Sequence, residues 1–249
     1  VSEPVRRLWP DPGVLDDDAL RDAYAPDRGR ACLRTNFVTS LDGAVEIDGH
    51  SRGLSSDVDQ AVFHVLRAHT DAVLVGAGTM RQEGYRAVRS PEPVGARRRA
   101  TGLAEHPTLV IVSGSLLGLD PTAEVLTKAP VRPIVLTHEA APADRRAALA
   151  AVADVVSCGP DSVDLATGIA ELHRRGLGQL LCEGGPHLFG ALLAADLVDE
   201  LCLTMSPQLA GPGSGRIIAG DTRAVPLGLR LVQLIGAGDE LFTRYARGG

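Results

Sequence analysis

The chain has 249 residues, 45% of them hydrophobic and only 3% aromatic, so a sizeable core is within reach and has to rest on Ala, Val, Leu and Ile. Its formal charge of −6 argues against a general nucleic-acid surface. No stretch is long and apolar enough to span a bilayer, and the start "VSEPVRRLWPDPG" lacks the charged-then-apolar pattern of a secretory signal.

Residues 1–29, rich in Pro, Asp and Arg, read as an N-terminal extension with one helical turn at "LDDDALRDAYA", and residues 30–249 as one domain. "ACLRTNFV" has the β-branched and aromatic content of a strand and runs into the turn-rich "TSLDGAVEIDG". "SSDVDQAVFHVLRAHT" opens on Ser and Asp and places Val62, Val65, Leu66 and His69 at helical spacing, a capped amphipathic helix. "DAVLVGAG", "PTLVIVSGS" and "VRPIVLTHEA" are short buried strands, with a long polar loop, "RSPEPVGARRRATGLAEHP", over 89–107. Three helix–strand units follow, the second ending in "LLCEGG". The tail "LGLRLVQLIGAGDELFTRYAR" reads as an antiparallel hairpin around Gly-Asp. Apolar strands alternating with helices predict an α/β fold: a mostly parallel central sheet flanked by helices, with an antiparallel C-terminal hairpin.

Cys32, Cys158, Cys182 and Cys202 are far apart and sit in or beside apolar runs. They read as buried free thiols, which suits a reducing cytoplasm. There is no C-x-x-C, and the histidines have no ligand spacing, so no metal is expected.

Several strands end in glycine or hydroxyl turns: Gly76 and Gly78, Ser113 and Gly114, Gly184 and Gly185. In an open parallel sheet, ligands bind at the carboxyl ends of the strands, where helix N-termini offer free amides to phosphate. A set of such turns points to a nucleotide; each alone could be a plain strand-to-helix corner. In "VGAGTMRQEGY" (75–85), Arg81 stands where the dinucleotide fingerprint G-x-G-x-x-G needs its third glycine. "EGGPHLFG" lacks the G-K-[ST] of a P-loop, but Pro186 suits a first helical turn.

"NFVTSLDGAV", "LRAHTDAVLVGAGTMRQEGYRAVR" and "LLCEGGPHLFGALLAADLVDELCLTMSPQLAG" together resemble the reductase domain of riboflavin biosynthesis proteins, the RibD C-terminal family, over most of residues 30–247. The resemblance implies a dihydrofolate reductase-like fold and NADPH as hydride donor. It implies a small-molecule substrate, a phosphorylated ribosylamino-pyrimidine whose ribosyl group becomes ribityl. Homodimers paired through a sheet edge are common in the family. The zinc deaminase motif that precedes this domain in bifunctional members, H-x-E followed by P-C-x-x-C, is not in the sequence, so reduction alone is expected.

By the same resemblance, Thr39 and Asp42 line the nicotinamide end of the cleft, although Asp42 in Leu-Asp-Gly also suits a turn bonded to its own backbone. Ser51 faces substrate and Gly53 cofactor, with "S-R-G" replacing the "S-x-W" of some members. Thr79 and Glu83, the latter often Asp in the family, face the cofactor. Ser113 stands near the adenosine ribose. Gly76, Gly78 and the block Gly184, Gly185, Pro186, His187 and Leu188 complete the cofactor side. On the substrate side are Arg67, Glu183, and Arg86 and Arg89 for the phosphate, the family spacing favouring Arg89. Glu183 ends a buried strand and needs a hydrogen-bonding partner; Glu183 and Asp42 are the candidate catalytic carboxylates, with solvent as the other proton source. Arg97, Arg98 and Arg99 offer charge to a cofactor phosphate, against the plainer reading of a solvated loop. Two other functions remain open. One is reduction of a pteridine on this fold, with Asp57 or Asp59 toward the ring, although both suit a helix N-terminus. The other is NADPH binding without catalysis.

Overall fold

The computed structural model describes residues 4–220 and 226–248; the first three residues of the expected extension lie outside them. The chain begins with β1 (Arg6–Trp9), β2 (Gly13–Val14) and α1 (Asp17–Ala23), then β3 (Cys32–Thr39), α2 (Asp57–His69), β4 (Ala72–Gly76), α3 (Ala77–Gln82) and α4 (Val94–Ala100). There follow β5 (Thr108–Val112), α5 (Glu124–Thr127), β6 (Ile134–Thr137), α6 (Ala143–Ala150) and β7 (Asp154–Ser157). The last part holds α7 (Leu165–Arg174), β8 (Gln179–Cys182), α8 (Pro186–Ala194), β9 (Glu200–Met205), β10 (Leu229–Ala237) and β11 (Glu240–Arg247).

The strands form one sheet in the order β2-β1-β10-β11-β9-β3-β8-β4-β5-β6-β7. From β9 to β7 every pairing is parallel; β11 joins β9 antiparallel, and β10 and β1 continue antiparallel. The expected parallel sheet with its C-terminal hairpin is therefore present. The N-terminal segment goes beyond the single helical turn read from its sequence: β1 pairs with β10, and α1 packs Leu20 and the following Tyr24 into the core. The polar stretch 89–107, expected as a loop, contains α4. No helix among the described residues is long and apolar enough to cross a membrane.

Alternation along the strands places the layers. Leu74, Val110 and Leu136 pack with Ile169 and Leu172 of α7 and Leu188 and Leu192 of α8 on one face. Val73, Val75, Ile111 and Val135 point to the other face, toward α3, α5 and α6. α1 and α2 cover Leu181, Ile235 and Phe242. α2 starts where Ser56 Oγ accepts the Asp59 N–H at 3.1 Å, a side-chain N-cap. Its last turn is held by Arg98, whose Nη1 donates to the carbonyls of Arg67, Ala68 and Thr70 at 2.9, 3.0 and 2.8 Å. Arg98 is thus buried, unlike the solvated side chain expected of that stretch. All four cysteines are free and buried; Cys32, Cys182 and Cys202 are in strands and Cys158 follows β7.

The chain leaves β3 for β4 and fills the gap between them only on returning as β8. That is a topological switch point, where an open sheet parts its loops and leaves a crevice above the strand ends.

Candidate active site

Above the carboxyl ends of β3 and β8 lies a cleft of about 390 Å³. Asn36, Phe37 and Val38 of β3 form one wall, and Asp59, Phe63 and Arg67 of α2 another. The spacing of four residues puts those three side chains on one helix face. Glu183 and Gly184 at the end of β8 form the floor, and Thr79, Glu83, Tyr85 and Arg86 border it beyond β4.

The floor is built around Glu183. Its carboxylate accepts from Arg67 Nε and Nη2, each at 2.6 Å, and from the Tyr85 hydroxyl at 2.8 Å. The Arg67 guanidinium also stands 4.3 Å from the centre of the Phe63 ring. Burial pulls the Arg67 guanidinium down, but the Glu183 charge and its hydrogen bonds outweigh this and hold it above its ordinary value. Burial and the same carboxylate push the Tyr85 hydroxyl well up, so it stays a donor. Removing one partner of such a pair leaves an uncompensated charge, at a cost of about 3–5 kcal/mol when fully buried.

A second groove, of about 550 Å³, runs above β4 and β5. Gly76, Gly78 and Arg81 line one side, His187, Leu188 and Ala191 of α8 the other, and Val112, Ser113, Ser115, Leu117, Val163 and Leu165 the far end. The cleft and the groove flank one junction, where the Gly76 N–H donates to the Gly184 carbonyl at 2.9 Å. The Gly184–Gly185 peptide is cis. Gly185 caps α8 without a side chain, so the first amides of that helix have no intrahelical partner. A Cβ on Gly185 would stand 2.1 Å from Thr79 Oγ1, so only glycine fits against that hydroxyl. At the far end the Arg81 guanidinium donates to the Leu117 carbonyl at 2.9 Å.

Residues 31–241 match the RibD C-terminal domain family. The chain belongs to that family. It is 28% identical over 220 residues, 88% of this chain and 100% of the relative, to 2,5-diamino-6-ribosylamino-4(3H)-pyrimidinone 5′-phosphate reductase of Archaeoglobus fulgidus. It is 29% identical over 215 residues, 84% of this chain and 95% of the relative, to the enzyme of the same name from Methanothermobacter thermautotrophicus. Among solved structures, a pyrimidine reductase-like protein from Corynebacterium diphtheriae superposes with a TM-score of 0.80 at 27% identity, covering 88% of this chain and 92% of that one. The fold is the dihydrofolate reductase-like fold of RibD-type reductases.

Against that background, the RibD C-terminal domain gathers most of the residues singled out in the sequence. Ser51, Arg67, Thr79, Glu83, Arg86, Glu183, Gly184, Gly185 and Pro186 line the cleft. Gly76, Gly78, Ser113, His187 and Leu188 line the groove. Glu83 Oε1 accepts the Ser51 N–H at 3.0 Å, tying the loop before α2 to the end of α3.

Thr39, Asp42, Gly53 and Arg89 are outside the lining of both. Thr39 is buried, with its carbonyl taking the Ser206 N–H. Asp42 faces the loop after β9: its carboxylate accepts from the Ser40 hydroxyl and from the N–H groups of Ala210 and Gly211 at 3.1 and 2.8 Å. Those hydrogen bonds, Ser40 foremost, lower its pKa to about 2. Arg89 donates to the Lys128 carbonyl, whereas Arg86 lines the cleft, as does Arg52, and neither side chain makes a hydrogen bond to the described residues.

Sequence reasoning overlooked Phe63, Tyr85 and Asn36 as site residues. Phe63 stands four residues before Arg67 on its helix and Tyr85 follows Glu83-Gly84, both recoverable signals; Asn36 on a buried strand carries none. Asp59, read as a helix N-terminal charge, is buried in the cleft wall, whereas Asp57 is exposed.

Proposed function

We propose that this chain is an NADPH-dependent pyrimidine reductase of riboflavin synthesis, reducing a phosphorylated ribosylamino-pyrimidine to its ribityl form. The observation that carries the reading is the joined pair of sites: a long groove with helix amides at its middle, opening at Gly184–Gly185 beside a cleft floored by Glu183, Arg67 and Tyr85. The two relatives that align over nearly their whole length bear that activity in their names.

The groove fits a dinucleotide. Val112, Val163 and Leu165 offer apolar contact for a base, the amides at the start of α8 suit a diphosphate, and Arg81 with Ser113 and Ser115 supplies donors for a further phosphate on the ribose. When bound, the cofactor supplies a hydride. The acceptor is C1′ of the ring-opened ribosylamine imine, whose nitrogen takes a proton as C1′ takes the hydride. Arg67 and Tyr85 fix Glu183, and Glu183 in turn keeps Arg67 charged within the cleft, so this trio positions the substrate rather than moving its proton. Asp42 is outside the cleft and ionised, so water at the cleft mouth is the proton source in this reading. Arg86 takes the substrate phosphate, its planar fork suited to phosphate oxygens.

Free thiols make the cytoplasm the proposed compartment. A homodimer along the β2 edge, where Leu8, Trp9 and Val14 are exposed, is the proposed assembly, read by sedimentation equilibrium. The deciding experiment is NADPH oxidation by the purified protein with the diamino-pyrimidinone substrate, its deaminated counterpart and dihydrofolate in separate assays. Turnover of a ribosylamino-pyrimidine is expected. Turnover of dihydrofolate alone makes it a pteridine reductase, and tight NADPH binding with no turnover makes it a binding protein.

A further inference from the structure

Four carboxylates line the cleft: Glu46, Asp59, Glu83 and Glu183. Three are engaged by groups from other parts of the chain: Glu46 by the Gln82 amide, Glu83 by the Ser51 N–H, and Glu183 by Arg67 and Tyr85. Asp59 differs. It is 6% exposed, and no Arg, Lys or His of the described residues lies within ion-pair distance of it. Its Oδ2 accepts from the Ser55 hydroxyl at 2.5 Å, and its Oδ1 accepts from none of the described residues. The helix does not need this carboxylate as its cap, because the Ser56 hydroxyl already caps α2. A carboxylate so enclosed is costly unless something completes its hydrogen bonds, and the space it faces is the cleft.

Two oxygens of a carboxylate accept two parallel N–H bonds. A 2-amino-4(3H)-pyrimidinone offers that pair on one edge, the ring N3–H beside the 2-amino N–H. After deamination the edge carries N3–H beside a carbonyl, which sets oxygen against oxygen. We propose that Asp59 reads the 2-amino edge of the pyrimidine, so that this enzyme acts on the diamino compound and the hydrolytic removal of that amino group follows the reduction. The inference rests on the pyrimidine reductase reading above. Asp59 is then a specificity-determining residue, about 12 Å along α2 from Arg67, with the Phe63 ring between them on the same face.

The test uses the full chain, with NADPH and the two ribosylamino-pyrimidine 5′-phosphates, 2-amino and 2-oxo. The wild type is expected to favour the 2-amino substrate by about 100-fold or more in kcat/KM, since the mismatched edge leaves polar groups unpaired. Asp59→Asn presents one acceptor and one donor, which matches the 2-oxo edge. Its preference is expected to collapse or reverse with NADPH affinity unchanged, and Asp59→Glu is expected to keep the wild-type direction. A purely structural role for Asp59 would lower both substrates alike. A ratio unchanged in Asp59→Asn, or a wild type that prefers the 2-oxo substrate, overturns the assignment alone. Turnover of neither substrate by the wild type removes the pyrimidine reductase reading and the assignment with it. A measurement that needs no variant is inhibition of the wild type by 2,5,6-triaminopyrimidin-4-one and by 5,6-diaminouracil. The first is expected to bind at least about tenfold tighter, and equal inhibition overturns the proposal.

Discussion

At Gly185 the close approach of Thr79 turns a side-chain choice into a condition for the site. A Cβ there would meet Thr79 Oγ1 at 2.1 Å but Thr79 Cβ only at 3.5 Å. Gly185→Ala is therefore expected to lose about 1–3 kcal/mol, the usual range for overpacking, and to weaken NADPH binding by shifting the start of α8. Adding Thr79→Ala removes the colliding oxygen and should recover most of the stability; denaturant titration of both variants reads this, and a Gly185→Ala protein as stable as the wild type would sink it. Asp42 gives a second prediction. With a folded pKa of about 2 against about 3.9 when unfolded, its contribution to stability is complete above the unfolded value and is lost as pH falls toward 2. It is ionised wherever the enzyme works, so Asp42→Asn should leave the pH dependence of kcat unchanged. An ionisation in the wild-type profile that vanishes in the variant would restore Asp42 as the acid. Glu183 and Asp42 also show what a sequence can carry. The need of Glu183 for a partner follows from its place at the end of a buried strand, and Arg67 and Tyr85 meet it. Which side of a turn the Asp42 carboxylate faces depends on a loop 168 residues further on.

Elements that join distant parts of the chain were harder to read than those that repeat locally. β4 and β5 are runs of Val, Leu and Ile bounded by turns, and α2 has both a cap and a period. β1 has no such signature in "RRLW"; it is a strand because β10 offers it an edge. α4 is polar, and besides Gly95 it buries only Arg98, whose guanidinium fills the carbonyls ending α2. The same principle ties α1 to the sheet. Glu200 on β9 accepts from Arg34 of β3 at 2.8 Å and from Arg244 of β11 at 3.0 and 2.8 Å. The two arginines also reach the carbonyls of Tyr24 and Ala23 at the end of α1. Burial pushes the Glu200 carboxyl up, but the two guanidiniums pull it further down, leaving it below its ordinary value. Its stabilisation is thus present above the unfolded carboxylate range and is lost as pH falls through the lower folded value. Glu200→Gln should cost about 3–5 kcal/mol at neutral pH and flatten the acid side of the stability profile. Urea unfolding of both proteins as a function of pH checks it; parallel profiles would mean that the triad contributes nothing linked to its charge.

On the scale of the whole molecule, the switch point divides the work between two sides of one sheet. β3 and β8 end at the cleft and β4 and β5 at the groove, with the junction at Gly184–Gly185 between them; in the function proposed above, one extended cofactor crosses that junction. In that proposal recognition is separate from chemistry: the far end of the groove chooses the cofactor without touching the reacting atoms. Arg81 is the cation lining that end, with Ser113 and Ser115 as neutral donors beside it. It stands where the familiar fingerprint has a glycine, and its single hydrogen bond to the Leu117 carbonyl leaves guanidinium donors to spare. A charge-assisted bond to the ribose phosphate that distinguishes NADPH from NADH is worth about 1.5–3 kcal/mol, or roughly tenfold to a hundredfold in affinity. Arg81→Ala should therefore weaken NADPH by about that factor and leave NADH binding as it was, with kcat at saturating cofactor preserved, because the hydride leaves from the other end of the molecule. Fluorescence titration with both cofactors reads the difference. An equal loss for both would assign Arg81 to the shape of the groove rather than to the choice of cofactor.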